Sequence, residues 1–400
     1  MKTDIAKLAF VLPMLLLGCT QGPSQSSPAS GPVAAPALPP LLPFDQAVEN
    51  AANAVLSANA GTQRVIVIDP LVDGVTGDQS VATRRIGERI AALARERYPN
   101  YRVQPFTAAA VAQQPLVMVG TFTPVNGANQ TSGERIGYRF CLVMADLGSG
   151  RTVAKSVARA QLDGVDASPA PFFRQSPVWS EDPAIRSYVN TCQGTRVGDA
   201  IPPEYLRGIE SAALVQEAMV QFEAGRLPQS LARFEAARAT AAGDQLRVHN
   251  GLYLVNYLMG RRAQATEEFG ALVDYGLEHS RLGVKLLFQT GSTGFAGGQD
   301  AVTQYPMWLR QIAVRAGQRT TCLEIRGHTS ASGNAELNER LSTARAEAVR
   351  ARLAAAEPAM TNRMIAIGVG AREPLVGTGR DDATDALDRR VEFRVVAQCN

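Results

Sequence analysis

The chain has 400 residues, 46% of them hydrophobic, and a formal net charge of +3, enough apolar surface for more than one buried core. Lysine occurs only as Lys2, Lys7, Lys155 and Lys285, and the many arginines form no basic cluster interleaved with aromatics; a nucleic-acid partner is therefore not expected. His249, His279 and His328 stand at no ligand spacing and there is no Cys-x-x-Cys, so the sequence offers no metal centre, no cofactor site and no catalytic constellation from which to argue an enzyme.

Met1 to Gly18 holds Lys2 and Lys7, then an apolar run from Leu8 to Leu17, and ends in Leu16-Leu17-Gly18-Cys19. The run is too short to span a bilayer and has the layout of a secretory signal. Its end resembles a bacterial lipoprotein signal, which implies that Cys19 becomes the lipidated first residue of an anchored protein. Thr20 follows it where an aspartate would retain a sorted lipoprotein, so the same resemblance implies the outer membrane, with the body facing the periplasm. Residues 20–43 are rich in Pro, Ser and Ala and carry no charge, the composition of an extended tether reaching on the order of 70 Å.

Residues 44–205 read as an α/β domain. The spacing of Ala47, Ala51, Ala54 and Val55 predicts a helix over Phe44 to Ala58, and Arg64 to Asp69 is a buried strand ending near the turn at Asp73-Gly74. Val81 to Tyr98 is an amphipathic helix with Ile86, Ile90, Leu93 and Ala94 on one face. Strands follow at Tyr101–Pro105, Leu116–Phe122, Tyr138–Leu147 and Thr152–Leu162, the last two forming a hairpin with Gly148-Ser149-Gly150 at its tip. An envelope hydrolase here would need an acidic pair or a nucleophile that the sequence does not single out.

Residues 206–282 are almost wholly helical and contain a repeat: Gly225-Arg226, Leu231, Phe234 and Ala236 recur as Gly260-Arg261, Thr266, Phe269 and Ala271, a shift of 35. This resembles the tetratricopeptide period, and two such units bury little by themselves, so the block is expected to pack on a neighbour. It serves as a spacer or as a groove for an envelope protein's peptide.

In residues 283–400, Leu323 and Ile325 alternate with Glu324 and Arg326 as in a half-buried strand, which Gly327 ends. His328 to Asn334 form a small-residue loop, and Leu337, Leu341, Ala344, Ala348 and Leu353 recur at helical spacing, which would turn Asn338, Arg340 and Arg345 toward other faces. Gly327-His328-Thr329, Gly333, Asn338, Leu341-Ser342 and Arg345-Ala346, with Asp388-Arg389-Arg390-Val391-Glu392-Phe393 near the end, resemble the signature of the OmpA-like peptidoglycan-associated domain. The resemblance implies a mixed sheet with helices on one face, built from Lys285–Phe288, a helix through Trp308 to Arg315, the motif strand and helix, Met364–Val369 and Val391–Val396. The fold class is then a multidomain α/β (α+β) chain: an α/β domain, a short helical-repeat segment and an OmpA-like mixed sheet.

The resemblance also implies a function. The family holds the diaminopimelate of the peptidoglycan stem peptide between an aspartate after His-Thr and the helix arginine. Arg345 supplies the cation here, with Thr329, Ser330 and Asn338 as hydrogen-bonding neighbours and Arg389 or Arg390 beside them. Ser330 stands where the aspartate is usual, and exchanging a charge-assisted bond for a neutral one costs about 1–3 kcal/mol. Glu324 or Glu336 is a candidate to supply that charge. The alternative function is an envelope-assembly or wall-synthesis adaptor whose site is degenerate. With Cys19 lipidated, Cys141 and Cys192 remain in the first domain and Cys322 and Cys399 in the last, an even count in each that suggests two disulfides in an oxidising compartment, against four free thiols.

Overall fold

A computed structural model describes residues 38–58, 61, 63–296, 299–375, 379 and 384–399. The signal segment, Cys19 and the tether up to residue 37 lie outside the described residues.

The first sheet forms from short apolar runs. Its strands are β1 (Leu41–Leu42), β2 (Arg64–Ile68), β3 (Tyr101–Gln104), β4 (Leu116–Val125), β5 (Gly137–Asp146) and β6 (Arg151–Gln161), in the order β1-β6-β5-β4-β2-β3. β2 pairs in parallel with β3 and β4, β1 pairs in parallel with β6, and β4-β5-β6 is an antiparallel meander. All ten residues of β4 are buried, because both faces of the sheet are covered. Helices α1 (Phe44–Ser57) and α2 (Val81–Arg97) bury Val48, Ala52, Leu56, Ile86 and Ile90 against Met118, Phe140 and Met144. The buried stripe of α1 differs from the expected one in a single respect: Ala54 is exposed, while Val48, Ala52 and Leu56 face inward. β4 continues past Phe122 because Thr123, Pro124 and Val125 still pair with Arg139, Tyr138 and Gly137.

The short helices α3 (Ala108–Val111) and α4 (Pro171–Gln175) precede α5 (Pro183–Gln193), which closes the opposite face of the sheet. Asp182 caps α5 by accepting from the Ile185 N–H at 2.9 Å and Pro183 occupies its first turn, a strong helix start. Cys192 on α5 is bonded to Cys141 on β5.

Four helices follow: α6 (Pro203–Glu223), α7 (Leu227–Arg238), α8 (Leu246–Leu258) and α9 (Arg262–Glu278). The sequence repeat is the recurrence of one helix-ending turn. Gly225 and Gly260 both take positive φ, 71° and 76°, and in both turns the next residue closes the helix, Arg226 N–H donating to Gln221 O and Arg261 N–H to Asn256 O, each at 2.9 Å.

The last sheet holds β7 (Leu286–Leu287), β8 (Cys322–His328), β9 (Met364–Gly370) and β10 (Arg390–Val396) in the order β7-β10-β8-β9. β10 is antiparallel to β7 and β8, and β9 is parallel to β8. α10 (Gln299–Gly317) and α11 (Ala335–Ala356) cover one face. One hydrophobic core runs from the helical layer into this sheet: Phe269 of α9 stacks on Trp308 of α10 at 5.6 Å, and both share a cluster with Ile312, Leu353 and Phe393. The segment from α4 to the start of α5 joins the layers. Phe172 and Phe173 enter the helical core, Val178 bridges to Val284, and the buried Lys285 ammonium bonds Asp78 at 2.8 Å beneath the Trp179 ring. Cys399 reaches back from beyond β10 to bond Cys322 at the start of β8.

Peptide mapping of the protein isolated from its own host without reductant is expected to recover Cys141 linked to Cys192 and Cys322 linked to Cys399; free thiols at these positions would refute both bridges. Lys285→Met strands the buried Asp78 carboxylate and is expected to cost about 3–5 kcal/mol in urea unfolding, whereas Asp78→Leu combined with Lys285→Met recovers most of that loss.

Candidate functional site

The motif loop is held by its neighbours more than by its own chain. At Gly327 a Cβ would lie 1.9 Å from Ser342 O, so β8 approaches α11 closely only because this residue is glycine. Thr329 N–H donates to Gly370 O at 2.9 Å, and Gly333 takes φ +86°. Asn334 caps α11 by accepting from the Leu337 N–H at 3.0 Å. Asn338 Nδ2 donates to Ser332 O at 2.9 Å and Ser330 O at 3.4 Å, while the Ser330 and Ser332 hydroxyls lie 3.0 Å apart. Thr329 Oγ1 is buried without a hydrogen-bond partner among the described residues.

Arg345 lies beneath this loop, fully buried. Its Nη2 donates to Gln289 O at 2.8 Å, Nη1 to His328 O at 2.9 Å and Nε to Ser292 O at 3.0 Å, and its guanidinium stands over the Phe288 ring. The expected helix face is corrected here. Leu337 is 57% exposed and Ala344 is exposed, whereas Ser342, Arg345, Ala346, Val349 and Leu353 face the core. The close approach of β8 at Gly327 selects this face, since a leucine would not fit where Ser342 passes. Among the described residues no carboxylate pairs with Arg345; burial, with Arg389 nearby, lowers its pKa to about 10.

Strand alternation separates the two closing arginines. Arg389 acts electrostatically on Arg345, while Arg390 packs on the other face of the sheet, with Nε donating to Glu392 and Nη2 to Glu373 O. Neither candidate acid converges on Ser330. Glu324 is 3.5 Å from Arg326 on its own strand, and Glu336 pairs outward with Arg340 at 3.3 Å. The structure thus brings Thr329, Ser330, Asn338 and Arg345 together and places Arg390 apart. What the sequence did not reveal is the carbonyl cradle of Gln289 and Ser292, because a backbone acceptor leaves no residue signature.

His328 is fully buried, and among the described residues neither ring nitrogen has a hydrogen-bond partner. Burial first, then Arg390, Arg326 and Arg372, push its pKa down to about 2, outweighing Glu392 at 3.7 Å. It is a neutral packing residue whose carbonyl holds Arg345.

Residues 288–386 match the model of the OmpA family. Among solved structures, the chain is similar to the peptidoglycan-associated lipoprotein from Burkholderia pseudomallei (28% identity over 28% of this chain and 89% of that chain, TM-score 0.25). It is also similar to the cell wall anchor of the T6SS from Pseudomonas aeruginosa (29% identity, 28% and 76% covered, TM-score 0.23). A third similarity is to the C-terminal domain of Helicobacter pylori MotB (20% identity, 29% and 86% covered, TM-score 0.24). No curated protein matches the chain.

The His328 shift carries a pH dependence. With a folded pKa of about 2 against an unfolded value near 6.5, the unfolded chain takes up a proton that the folded chain refuses, so this contribution to stability is lost as pH falls below about 6.5. Asp69, raised by burial to about 7, acts in the opposite sense. The test is therefore a difference: the stability of the wild type relative to His328→Leu is expected to decline by about 1.4 kcal/mol per pH unit between about pH 6 and pH 4 in urea unfolding. A flat difference would mean that His328 protonates in place.

Proposed function

We propose that this protein is a lipid-anchored component of a Gram-negative outer membrane that grips peptidoglycan non-covalently through its carboxy-terminal domain and so links membrane to wall. The observation that carries the reading is Arg345: a buried guanidinium beneath the motif loop whose partners are neutral carbonyls. An unpaired charge in a desolvated place is costly, and an anion reaching it recovers part of that cost. The diaminopimelate of a stem peptide offers a carboxylate for the guanidinium fork and an ammonium for the loop's carbonyls and hydroxyls. Thr329 Oγ1, buried with no partner among the described residues, is a further acceptor or donor for such a ligand. Cys19 gives the membrane end, and among the described residues no helix is long and apolar enough to cross a membrane.

The second reading, an envelope adaptor, rests on Ser330. Among the described residues neither candidate acid replaces the family's aspartate, since Glu324 and Glu336 are paired elsewhere, and the helical layer would then offer the surface for an envelope protein.

Retention of the full mature chain on isolated sacculi separates the two. The full chain is required because Trp308 and Ile312 share their core with α9. A tether is retained, Ser330→Asp raises its affinity by about tenfold or more, and Arg345→Lys, with its folding checked by circular dichroism, lowers it. An adaptor is retained in none of these forms, and that result would withdraw the wall link.

A further inference from the structure

A chamber of about 510 Å³ lies on the far side of the C-terminal sheet from Arg345. One wall is the strand face turned away from α10 and α11, where register sets Glu392 of β10 opposite Arg326 of β8, with Arg390 and Arg394 to either side. The other wall comes from the α/β layer: Thr76 after β2, then Thr131, Ser132 and Arg135 between β4 and β5. Among the described residues the lining carries seven arginines against three glutamates. Those glutamates are already committed: Glu181 bonds Arg281, Glu373 bonds Arg326 at 2.6 Å, and Glu392 bonds Arg390.

Arg135 is the second, independent sign of a ligand. It is 3% exposed, its Nη2 donates to Pro374 O at 2.9 Å, and its Nε and Nη1 have no partner among the described residues. A buried guanidinium with unfilled donors is expensive unless an anion completes it. Acids outside the lining also pair with Arg326, Arg372, Arg390 and Arg394, so it is Arg135, with the arginine donors that those contacts leave over, that calls for negative charge, and the volume suits a small molecule.

We propose that this chamber binds a small soluble polyanion, bearing two or more phosphate or carboxylate groups, between the α/β layer and the C-terminal sheet. Arginine forks from both walls take its oxygens bidentately, and the hydroxyls of Thr76, Thr131 and Ser132 complete the shell. The site is separate from the motif loop and does not depend on the wall reading, because the sheet stands between Arg390 and Arg345.

The test is calorimetric titration of the mature chain with inorganic pyrophosphate and with citrate at constant ionic strength. Saturable one-site binding is expected for at least one of them, weakened by about tenfold or more in Arg135→Gln and in Arg394→Glu, with far-ultraviolet circular dichroism and sacculus retention unchanged. Arg394 is at a solvent-accessible strand position, its side chain 59% exposed, so its variant decides the matter should Arg135→Gln fail to fold. Absence of saturable binding by either anion up to about 10 mM, or binding undiminished in the folded variants, would overturn the assignment.

Discussion

The carboxy-terminal domain depends on one buried cation. Arg345 joins three places that sequence keeps far apart: the stretch after β7 through Gln289 and Ser292, the end of β8 through His328, and α11 on which it sits. A lysine would present one point charge where three carbonyls need separate directed donors. The same geometry fixes the loop, because the His328 carbonyl cannot turn away without releasing the guanidinium, and Thr329 is bonded to Gly370 immediately after it. The motif loop thus has a floor held by three directed hydrogen bonds and a rim of small polar groups.

That domain is also not a free-standing bead. The face of α10 that carries Trp308 packs on α9, and Phe269, Tyr253 and Trp308 form one aromatic group, with Trp308 Nε1 donating to Tyr253 Oη at 2.7 Å. On the other side, Lys285 beneath Trp179 locks the start of the domain to Asp78 of the α/β layer. A buried ion pair of this kind contributes little net stability, but either member alone is strongly penalised, so it discriminates against misdocked arrangements. The helical layer is thus packed into the same core as the C-terminal sheet rather than strung beside it.

Much of this was legible in the sequence, and the reasons for the rest are specific. The alternation in Leu323-Glu-Ile-Arg326, the apolar run in β4 and the Gly-Arg turns are local signals, and the strands and helix-ending turns stand where those signals put them. α5 was passed over although Asp182-Pro183 is a strong start, because its inward face mixes Ile185 with Ser187, Tyr188 and Thr191 rather than aliphatics alone. The inward face of α11 was misread for a related reason. Periodicity assumes that leucines go in and arginines out, but Gly327 admits a serine at the contact and the carbonyl cradle admits an arginine. The chamber was beyond reach altogether, since Arg135 and Arg390 meet only through the docking of two layers.

The bond between Cys322 and Cys399 makes residues 322–399 a covalent ring that contains the motif loop, α11, β9 and β10. Tension applied between the amino terminus and that loop enters the ring at Cys322, where β8 is stapled to the end of β10. β8 cannot then be peeled from β10 beginning at that end. Nor can it slide along β10, because the bridge pins the register at Cys322–Val396, so the ladder can open only from its other end, at Gly327–Val391 beside the motif loop. The closing bridge therefore sets the direction in which the two strands part: from the loop inward, toward a covalent stop.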